Sequence, residues 1–512
     1  METSDNLPNM SHGMGNGGLV AGLSRRLTAE RAAIVIVFLL IFAMASRVTA
    51  DPDMWWHIRL GQQSIETGDF VYADTFSHTQ RGNIHKNHSW LAQIVMAGVW
   101  DLGGHFVLTL VVASLAAGGM ACLYLAGRGS IYMQGFVLVA GGACAAVFWS
   151  PRPQMFTFFF AALLVNLLRQ LKRDSQAPLW ILPAMMWLWA NLHAGYIVGY
   201  LFIGAFVSGE LLNRALVSGR SAVAWPRIRR LCAFTLLSLA LLPISPLGLD
   251  VFLVPFETFA ISGMREFIAE WNSPDFAQPA TWPFVVLLIA LIASSWASRR
   301  KIDFADLLLV GGTMFMALYS ARHLPLFVIA AAPVLTAQLN DGFERNGWRI
   351  PRRAEETGLR LALNILLVFI VAIGTAARVA YVSRPDTVAQ SLALNYPVGA
   401  VEFLRTAEME GNLFNSYNWG GYLIFALPEH PVFIDGRTDL YHDALDEYTA
   451  AAFGTPAWSE VFTRREIGIA LIETDGPLAQ RLDADENWSS VYRDGVASVY
   501  AHVGATAGGN SL

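Results

Sequence analysis

The stretch that decides the fold reads AAIVIVFLLIFAMASRVTADPDMWWHIR, residues 32–59, an apolar run that stops at an acidic, tryptophan-rich motif. The run extends to about Thr49, which is long enough to cross roughly 30 Å of hydrocarbon. Arg25, Arg26 and Arg31 precede it. Because basic flanks tend to stay in the cytoplasm, we expect a cytoplasmic N-terminus. The acidic motif would then lie at the opposite face of the same membrane, outside the cytoplasm.

The composition of the whole chain is that of an integral membrane protein. Of its 512 residues, 54% are hydrophobic and 15% are charged, with a mean hydropathy of +0.42, a combination that is rare in soluble proteins. The formal net charge of −5 shows no basic excess, which argues against a nucleic-acid partner. Cys122, Cys144 and Cys232 lie in apolar runs, so we predict packing residues and no disulfide framework.

Further apolar stretches predict a polytopic α-helical membrane protein with about 11 transmembrane helices, or 12 to 13 on a looser count. With the first run, the stretches are residues 104–126, 131–149, 154–170, 178–194, 196–214, 230–247, 281–297, 305–320, 324–339 and 358–378. Basic connectors at 172–173, 214–230, 299–301 and 345–353 then all fall on the cytoplasmic side. The short apolar stretch 90–103 would invert this pattern if it crossed, so we predict a juxtamembrane or re-entrant helix there.

This topology divides the chain into parts with different predicted roles. They are a disordered cytoplasmic tail (1–24), a transmembrane domain (25–380) with large external loops at 50–103 and 245–280, an extracytoplasmic α/β domain (381–505) and a flexible tail (506–512). The α/β prediction rests on alternating helix-like and strand-like segments in a stretch large enough to fold alone. We expect the chemistry in the external loops and this domain.

Two carboxylates one residue apart stand where the first span ends, in Asp51-Pro52-Asp53. Such a pair can share a divalent cation, or one carboxylate can act as a general base while the other raises its pKa. The alternative is structural, with Asp51 capping a helix that begins at Pro52 and Asp53 complementing the helix dipole. Both interpretations stay open, and Asp51 and Asp53 are the catalytic candidates.

Imidazole and ammonium side chains follow in the same loop. The candidate substrate-binding residues there are His57, His85, Lys86 and His88. Clustered His and Lys at a membrane face can bind a phosphate, and His88 could ligate a metal ion held by Asp51 or Asp53. A solvated loop surface is the alternative for each.

The order of features in this loop carries a family resemblance. The features are the first span, the acidic motif, a helix ending in Glu66-Thr67-Gly68-Asp69, then His88-Ser89-Trp90-Leu91 and a run closing with Asp101-Leu102-Gly103-Gly104. This order resembles the first external loop of GT-C membrane glycosyltransferases, particularly the branch with protein O-mannosyltransferases and the 4-amino-arabinose lipid A transferase. The resemblance implies catalysis or metal binding by Asp51 and Asp53. Because the family's adjacent Asp-Glu pair is Asp-Pro-Asp here, the identity of the base stays open.

Short motifs farther along are similar to those of bacterial multi-spanning proteins described as glycosyltransferase-like. They are Arg152-Pro153-Gln154, Trp189-Ala190-Asn191-Leu192-His193-Ala194-Gly195, Glu270-Trp271-Asn272-Ser273-Pro274, Arg322-His323-Leu324-Pro325-Leu326 and Asn415-Ser416-Tyr417-Asn418-Trp419-Gly420-Gly421-Tyr422. Their order extends the resemblance over most of the chain. This order supports membership of the family more strongly than it supports a particular reaction.

Four basic or imidazole side chains, Arg152, His193, Arg322 and His323, sit at or beside span ends predicted to face outward, against the positive-inside tendency. An arginine can bind phosphate oxygens bidentately, and a polyprenyl-phosphate sugar offers a phosphate at this level. We therefore count all four, and Glu270, as substrate-binding candidates. The alternatives are a salt bridge from an arginine to a loop carboxylate such as Glu270, and a turn role for His193.

In the C-terminal part, residues 431–435 read as a buried strand that breaks into a turn at Asp435-Gly436. Asp435, Arg437 and Asp439 could help bind an acceptor, but a turn locked by an Arg–carboxylate pair is the favoured interpretation. No Gly-rich phosphate loop is present, which disfavours a nucleotide-sugar donor.

The sequence thus predicts a glycosyltransferase of the bacterial cytoplasmic (inner) membrane. It would transfer a sugar from a polyprenyl-phosphate donor to a glycan, lipid or protein acceptor outside the cytoplasm, with membrane lipids around it and no nucleic acid. Asp51 or Asp53 would be the general base. No cofactor is required by the residues, although a divalent metal ion could assist at Asp51, Asp53 and His88. A transporter or flippase and a non-catalytic assembly protein are the alternatives.

Overall fold

The structure is a computed structural model that describes residues 27–174, 176–217, 222–260, 269–347, 358–407, 409–441 and 444–503. The predicted tails at 1–24 and 506–512 lie outside these residues. The helices up to the end of the apolar region are α1 (Ala29–Ala45), α2 (Pro52–Thr67), α3 (Trp90–Ala126), α4 (Ile131–Ala145), α5 (Gln154–Arg173), α6 (Leu182–Leu192), α7 (Ile197–Leu216), α8 (Trp225–Leu241), α9 (Val254–Ala260), α10 (Trp282–Ala297), α11 (Phe304–Tyr319), α12 (Leu324–Arg345) and α13 (Gly358–Val382). A two-residue antiparallel pair, β1 (Tyr72–Ala73) and β2 (Ile84–His85), lies in the first loop.

Seven helical segments in the described residues are long and apolar enough to cross a membrane. They are Trp90–Ala126, Ile131–Phe148, Gln154–Arg173, Ala194–Leu216, Pro279–Ala297, Ala321–Arg345 and Gly358–Val382. The chain is therefore a helical membrane protein, but the expected count of about eleven spans is not confirmed. The four other predicted spans correspond to α1, α6, α8 and α11, whose regular helical parts have 17 residues or fewer.

Helix α3 joins the predicted juxtamembrane stretch 90–103 to the predicted span 104–126. It runs from Trp90 through the apolar stretch to Ala126, but Gly103 and Gly104 have non-helical backbone angles inside it. Gly104 has a φ of 54°, a left-handed conformation that glycine adopts without steric cost. The stretch 90–103 is thus a helix set at an angle to the span that follows.

Helix α2 places the acidic motif, and local rules explain where it begins and ends. The Asp51 side chain caps it by accepting a hydrogen bond from the Asp53 N–H at 3.0 Å, and Pro52 occupies the first turn. Gly68 ends it in a left-handed conformation, with φ 76°. Trp55, near the start of α2, is 2% exposed, and buried residues continue along the helix to Ser64, so α2 is packed into the protein rather than lying on its surface.

The C-terminal residues form a small α/β unit. Its elements are α14 (Pro385–Asn395), α15 (Val398–Thr406), β3 (Asn412–Asn415), α16 (Tyr417–Ala426), α17 (Ala444–Ala452), α18 (Trp458–Arg464), β4 (Ile467–Glu473), α19 (Pro477–Asp483), β5 (Trp488–Arg493) and β6 (Ala497–His502). The sheet order is β3-β4-β6-β5, with β3 parallel to β4 and the other pairs antiparallel. The predicted strand at 431–435 is wrong, because only Val432 pairs, in a single bridge to Ser77.

One hydrophobic core joins this unit to the first loop. Trp55 packs edge-on against Tyr396 and Tyr422, with ring centroids 6.1 and 5.4 Å apart. The three aromatic side chains are buried in one cluster with residues of β4 and β6. The C-terminal unit is therefore seated directly on the helix that carries the acidic motif.

Candidate active site

An arginine bridges the two carboxylates of the acidic motif. Arg152 donates from Nε to Asp51 Oδ1 at 2.6 Å, and its Nη1 lies 2.8 Å from Asp53 Oδ2. Arg152 reaches them from the turn that precedes α5. A guanidinium presents its donors in a planar fork, so one side chain can hold both carboxylates at a fixed separation.

The two carboxylates differ in what they can reach. Asp51 is committed to the cap of α2 and to Arg152. Asp53 accepts a hydrogen bond from Trp56 Nε1 at 3.1 Å and lines a polar cavity, with 24% of its side chain exposed. Asp53 is therefore the carboxylate that a bound molecule can meet.

A third carboxylate extends the charged network. Glu270 Oε1 lies 3.6 Å from Arg152 Nη1 and 3.5 Å from Arg322 Nη1. The Arg322 guanidinium also stacks over the ring of Trp271, 4.9 Å from its centroid. The salt bridge from an arginine to Glu270, one of the two alternatives predicted from the sequence, is thus present.

Burial sets the protonation behaviour of this network. Desolvation raises the pKa of Asp53, and Arg152 opposes that rise only in part. Burial by itself would lower the pKa of Arg152, but Asp51, Asp53 and Glu270 together raise it well above its ordinary value. The arginine stays charged, and Asp53 is a more basic carboxylate than one in water.

Two cavities meet beside these residues. The polar one has a volume of about 360 Å³ and is bounded by Asp53, Arg152, Glu270 and residues of the C-terminal unit. The other, of about 160 Å³, lies among apolar side chains near the ends of the spans, such as Phe158 and Leu326. The residues that line both cavities are His88, Gln154, His193, Trp271 and Arg322.

Three predicted histidines line the polar cavity as neutral side chains. These three residues are His57, His88 and His193. Burial lowers the pKa of each, well below the ordinary value for His57 and His193. His323, also predicted, lines only the apolar cavity. Neutral imidazoles offer one donor and one acceptor each, so they suit hydroxyl groups and phosphate oxygens without adding charge.

Two other predicted residues lie elsewhere. Lys86 is paired with Glu257 at 3.0 Å and Asp250 at 3.6 Å, which links two parts of the chain that are far apart in sequence, and it lines neither cavity. His85 is buried behind the cavity wall, where burial lowers its pKa to about 4, and its Nε2 is 3.9 Å from Asp439. In this structure they support the loops and do not line the cavities.

The metal set predicted from the sequence is not brought together. Within the described ranges, no three His, Cys, Asp or Glu side chains gather as a group that could hold a metal ion. Asp51 and Asp53 face Arg152, and His88 Nδ1 is 4.0 Å from Asp439 on another wall of the polar cavity. The positive charge between the two carboxylates is a guanidinium.

The C-terminal unit forms one wall of the polar cavity through Tyr417, Asn418, Gly436, Thr438 and Asp439. The backbone at Gly436 approaches Asp53 so closely that an added Cβ would lie 2.0 Å from Asp53 Oδ1 and 2.7 Å from Trp56 Nε1. Only glycine fits there. The cavity is therefore shared between the first loop and the C-terminal unit.

A buried ion cluster fixes the Gly436 turn. Arg437 donates to Asp435 Oδ2 at 2.7 Å and to Asp74 Oδ1 at 2.6 Å, and all three side chains have no exposed surface. Tyr441 also donates to Asp435. The Arg–carboxylate lock favoured from the sequence is present, and Asp74 ties it to the first loop.

Replacing Arg437 with Met should destabilise the protein by about 3 to 5 kcal/mol, because two buried carboxylates lose their partner. The measurement is the midpoint of thermal or denaturant unfolding in detergent. Arg493→Gln is the matched control, since its salt bridge to Asp483 is 42% and 45% exposed and contributes about 1 kcal/mol or less. Equal stability of R437M and R493Q would contradict a structural role for the cluster.

Several residues of the site are not among those predicted from the sequence. Trp271, Tyr417 and Thr438 line the polar cavity, and Thr157 lines the apolar one. Trp271 and Tyr417 belong to the sequence motifs at 270–274 and 415–422, so the motifs could have identified them. Thr157 lies inside an ordinary apolar span, and no sequence pattern marks it.

The sequence matches no protein-family model and no curated protein. Among solved structures, the fold is similar to the archaeal oligosaccharyltransferase AglB from Archaeoglobus fulgidus in complex with an inhibitory peptide and a dolichol-phosphate. The TM-score is 0.53 at 13% identity, covering 86% of this chain and 69% of that chain. It is also similar to ArnT from Cupriavidus metallidurans bound to undecaprenyl phosphate, with a TM-score of 0.52 at 15% identity over 97% of this chain and 100% of that chain.

These neighbours are GT-C glycosyltransferases, so the protein has the fold of that superfamily. The fold class implied by the first external loop is confirmed at this level. Assignment to the branch of protein O-mannosyltransferases and the 4-amino-arabinose lipid A transferase stays a prediction.

Proposed function

We propose that this protein is a membrane glycosyltransferase that moves a sugar from a polyprenyl-phosphate donor to an acceptor outside the cytoplasm. The observation that carries the proposal is the meeting of an apolar cavity among the spans with a polar cavity that contains Asp53, with Arg322 lining both. Such a junction suits a ligand with a hydrocarbon tail, a phosphate and a sugar in series. The neighbouring structures in complex with dolichol-phosphate and undecaprenyl phosphate support this ligand class.

Asp53 is the general base of the proposed reaction. It takes the proton of an acceptor hydroxyl as that oxygen bonds to the anomeric carbon of the sugar. The bond from the anomeric carbon to the phosphate oxygen breaks, and the phosphate leaves on its lipid. This direct displacement inverts the anomeric centre, and the raised pKa of Asp53 favours its action as a base.

Arg152 and Arg322 divide the positive charge of the proposed site. Arg322, which is 30% exposed and faces both cavities, binds the donor phosphate and stabilises its charge as it leaves. Arg152 holds Asp53 in place and is itself oriented by Asp51. Asp51 is thus a positioning residue in this proposal.

Transfer should persist in excess EDTA, because the guanidinium of Arg152 lies between the carboxylates that would otherwise share a divalent ion. The measurement is the initial rate of purified protein with and without chelator. Loss of transfer in EDTA with recovery on adding Mg²⁺ or Mn²⁺ would contradict this arrangement.

We further propose the bacterial cytoplasmic membrane as the location, with a cytoplasmic N-terminus and the cavities outside. The basic connectors of the sequence support this orientation. Cysteine-accessibility labelling in intact cells tests it, with one cysteine introduced at Asp485 in the C-terminal unit and one at Arg300. Labelling at position 300 but not at 485 would reverse the topology.

The deciding experiment is transfer of radiolabelled sugar from a panel of polyprenyl-phosphate sugars by purified protein, with native membrane extract as acceptor. Label that appears in the acceptor supports the enzyme. Label that crosses a liposome membrane while staying on its lipid would instead support the flippase. A protein that neither transfers nor translocates the label would favour an assembly role.

A further inference from the structure

A chain of hydrogen bonds holds His193 at the junction of the two cavities. Trp189 Nε1 donates to Thr157 Oγ1 at 2.8 Å, and Thr157 Oγ1 lies 2.8 Å from His193 Nδ1. The backbone N–H of Gly195 also donates to His193 Nδ1, at 3.0 Å. The ring is thus fixed by one span, α5, and by its own turn.

These contacts determine which nitrogen carries the proton. A backbone N–H can only donate, so Nδ1 must be the acceptor in its contact with Gly195. Thr157 already accepts from Trp189, which leaves its hydroxyl hydrogen free to point at the same Nδ1. The neutral ring therefore carries its proton on Nε2, and His193 is a hydrogen-bond donor at that position.

The surroundings indicate what this donor meets. His193 lines the polar and the apolar cavity together with Arg322, and its ring centroid is 6.4 Å from that of His88. The apolar cavity is where a lipid tail enters in the proposed function. A group at the junction next to an arginine is most simply the phosphate between tail and sugar.

We propose that His193 binds a phosphate oxygen of the lipid-linked donor through Nε2–H, and that Thr157 is the positioning residue that fixes this tautomer. The inference rests on the proposed function, because it names how the same site holds its ligand. It assigns a role to a threonine inside a membrane span, where a hydroxyl would otherwise bond its own helix.

The test is binding of undecaprenyl phosphate to purified full-length protein in nanodiscs, measured by thermophoresis with neutral undecaprenol as the comparison ligand. Gln places an amide N–H near the position of Nε2, whereas Asn reaches only the position of Nδ1. We expect H193N to weaken phosphate binding about tenfold or more, and H193Q to retain most of it. T157V should weaken binding severalfold, and T157S should restore it.

Undecaprenol binding should change much less than phosphate binding in the four variants, because neutral undecaprenol carries no phosphate for the Nε2–H of His193 to meet. Equal loss of both ligands would indicate a packing defect and overturn the inference, as would wild-type phosphate affinity in both H193N and T157V. If T157S binds undecaprenyl phosphate as weakly as T157V does, the Thr157 hydroxyl does not position His193, and this part of the inference is overturned. Wild-type protein that binds no undecaprenyl phosphate would instead overturn the proposed function itself.

Discussion

Replacing Asp53 with Asn is expected to lower kcat for glycosyl transfer by about 10²- to 10⁴-fold, the range that a positioned general base contributes. Asparagine keeps the shape of the side chain and can still accept the hydrogen bond from Trp56. It cannot take a proton from the acceptor. The measurement is steady-state transfer at saturating donor, with the melting temperature as the check on folding.

The pH dependence separates a base from a structural carboxylate. Because burial raises the pKa of Asp53, kcat/KM of the wild type should fall as the pH drops through that raised value, where the carboxylate becomes protonated. D53N should lack this limb. D51N should keep it with a smaller loss of rate, since asparagine also caps helices well. A D53N variant with wild-type kcat would relocate the chemistry to another group.

Replacing Gly436 with Ala should reduce transfer by about 10²-fold, although Gly436 takes no part in the chemistry. The new methyl group would lie 2.0 Å from Asp53 Oδ1, so either the carboxylate or the C-terminal wall must move. A displacement of about 1 Å at a reacting group can cost this much. Overpacking should also destabilise the protein by about 1 to 3 kcal/mol.

Gly495→Ala is the matched control, because a Cβ at Gly495 meets no atom within 4 Å. It lies in the same C-terminal unit, so any general effect of an added methyl group would appear there as well. Both variants are assayed for transfer and for thermal unfolding. G436A with the rate of G495A would mean that the C-terminal wall does not hold Asp53 in place.

The sequence predicted the local features of the site better than its long-range contacts. Asp51 and Asp53 stood out because an acidic pair directly after an apolar run is unusual. The helix-cap interpretation of Asp51 is confirmed, because Asp51 caps α2, and its contact with Arg152 joins residues that are far apart in sequence. Local spacing predicts the cap and cannot predict the arginine, and the catalytic role of the pair stays a prediction.

Long-range pairing explains the remaining differences. The sequence predicts Lys86 as a phosphate ligand, because its neighbours in sequence give no sign of its true partners. These partners are Asp250 and Glu257, which are far from it in sequence and form ion pairs with it. Apolar residues predict a strand at 431–435, but in the structure only Val432 forms a bridge, to Ser77 in the first loop. The helical membrane class needed less information, because the length of the apolar runs indicates it directly, although the predicted count of about eleven spans is not confirmed.

The shared cavity also has a consequence for the biosynthesis of the protein. The segment with Asp53 leaves the ribosome early, whereas the segment with Gly436 leaves it only after the apolar helices have been made. A nascent or truncated chain can therefore insert its helices and display both carboxylates without the wall that completes the cavity. If the proposed function holds, such a chain would lack the wall that places Asp53, so unfinished copies in the membrane could not carry out the transfer.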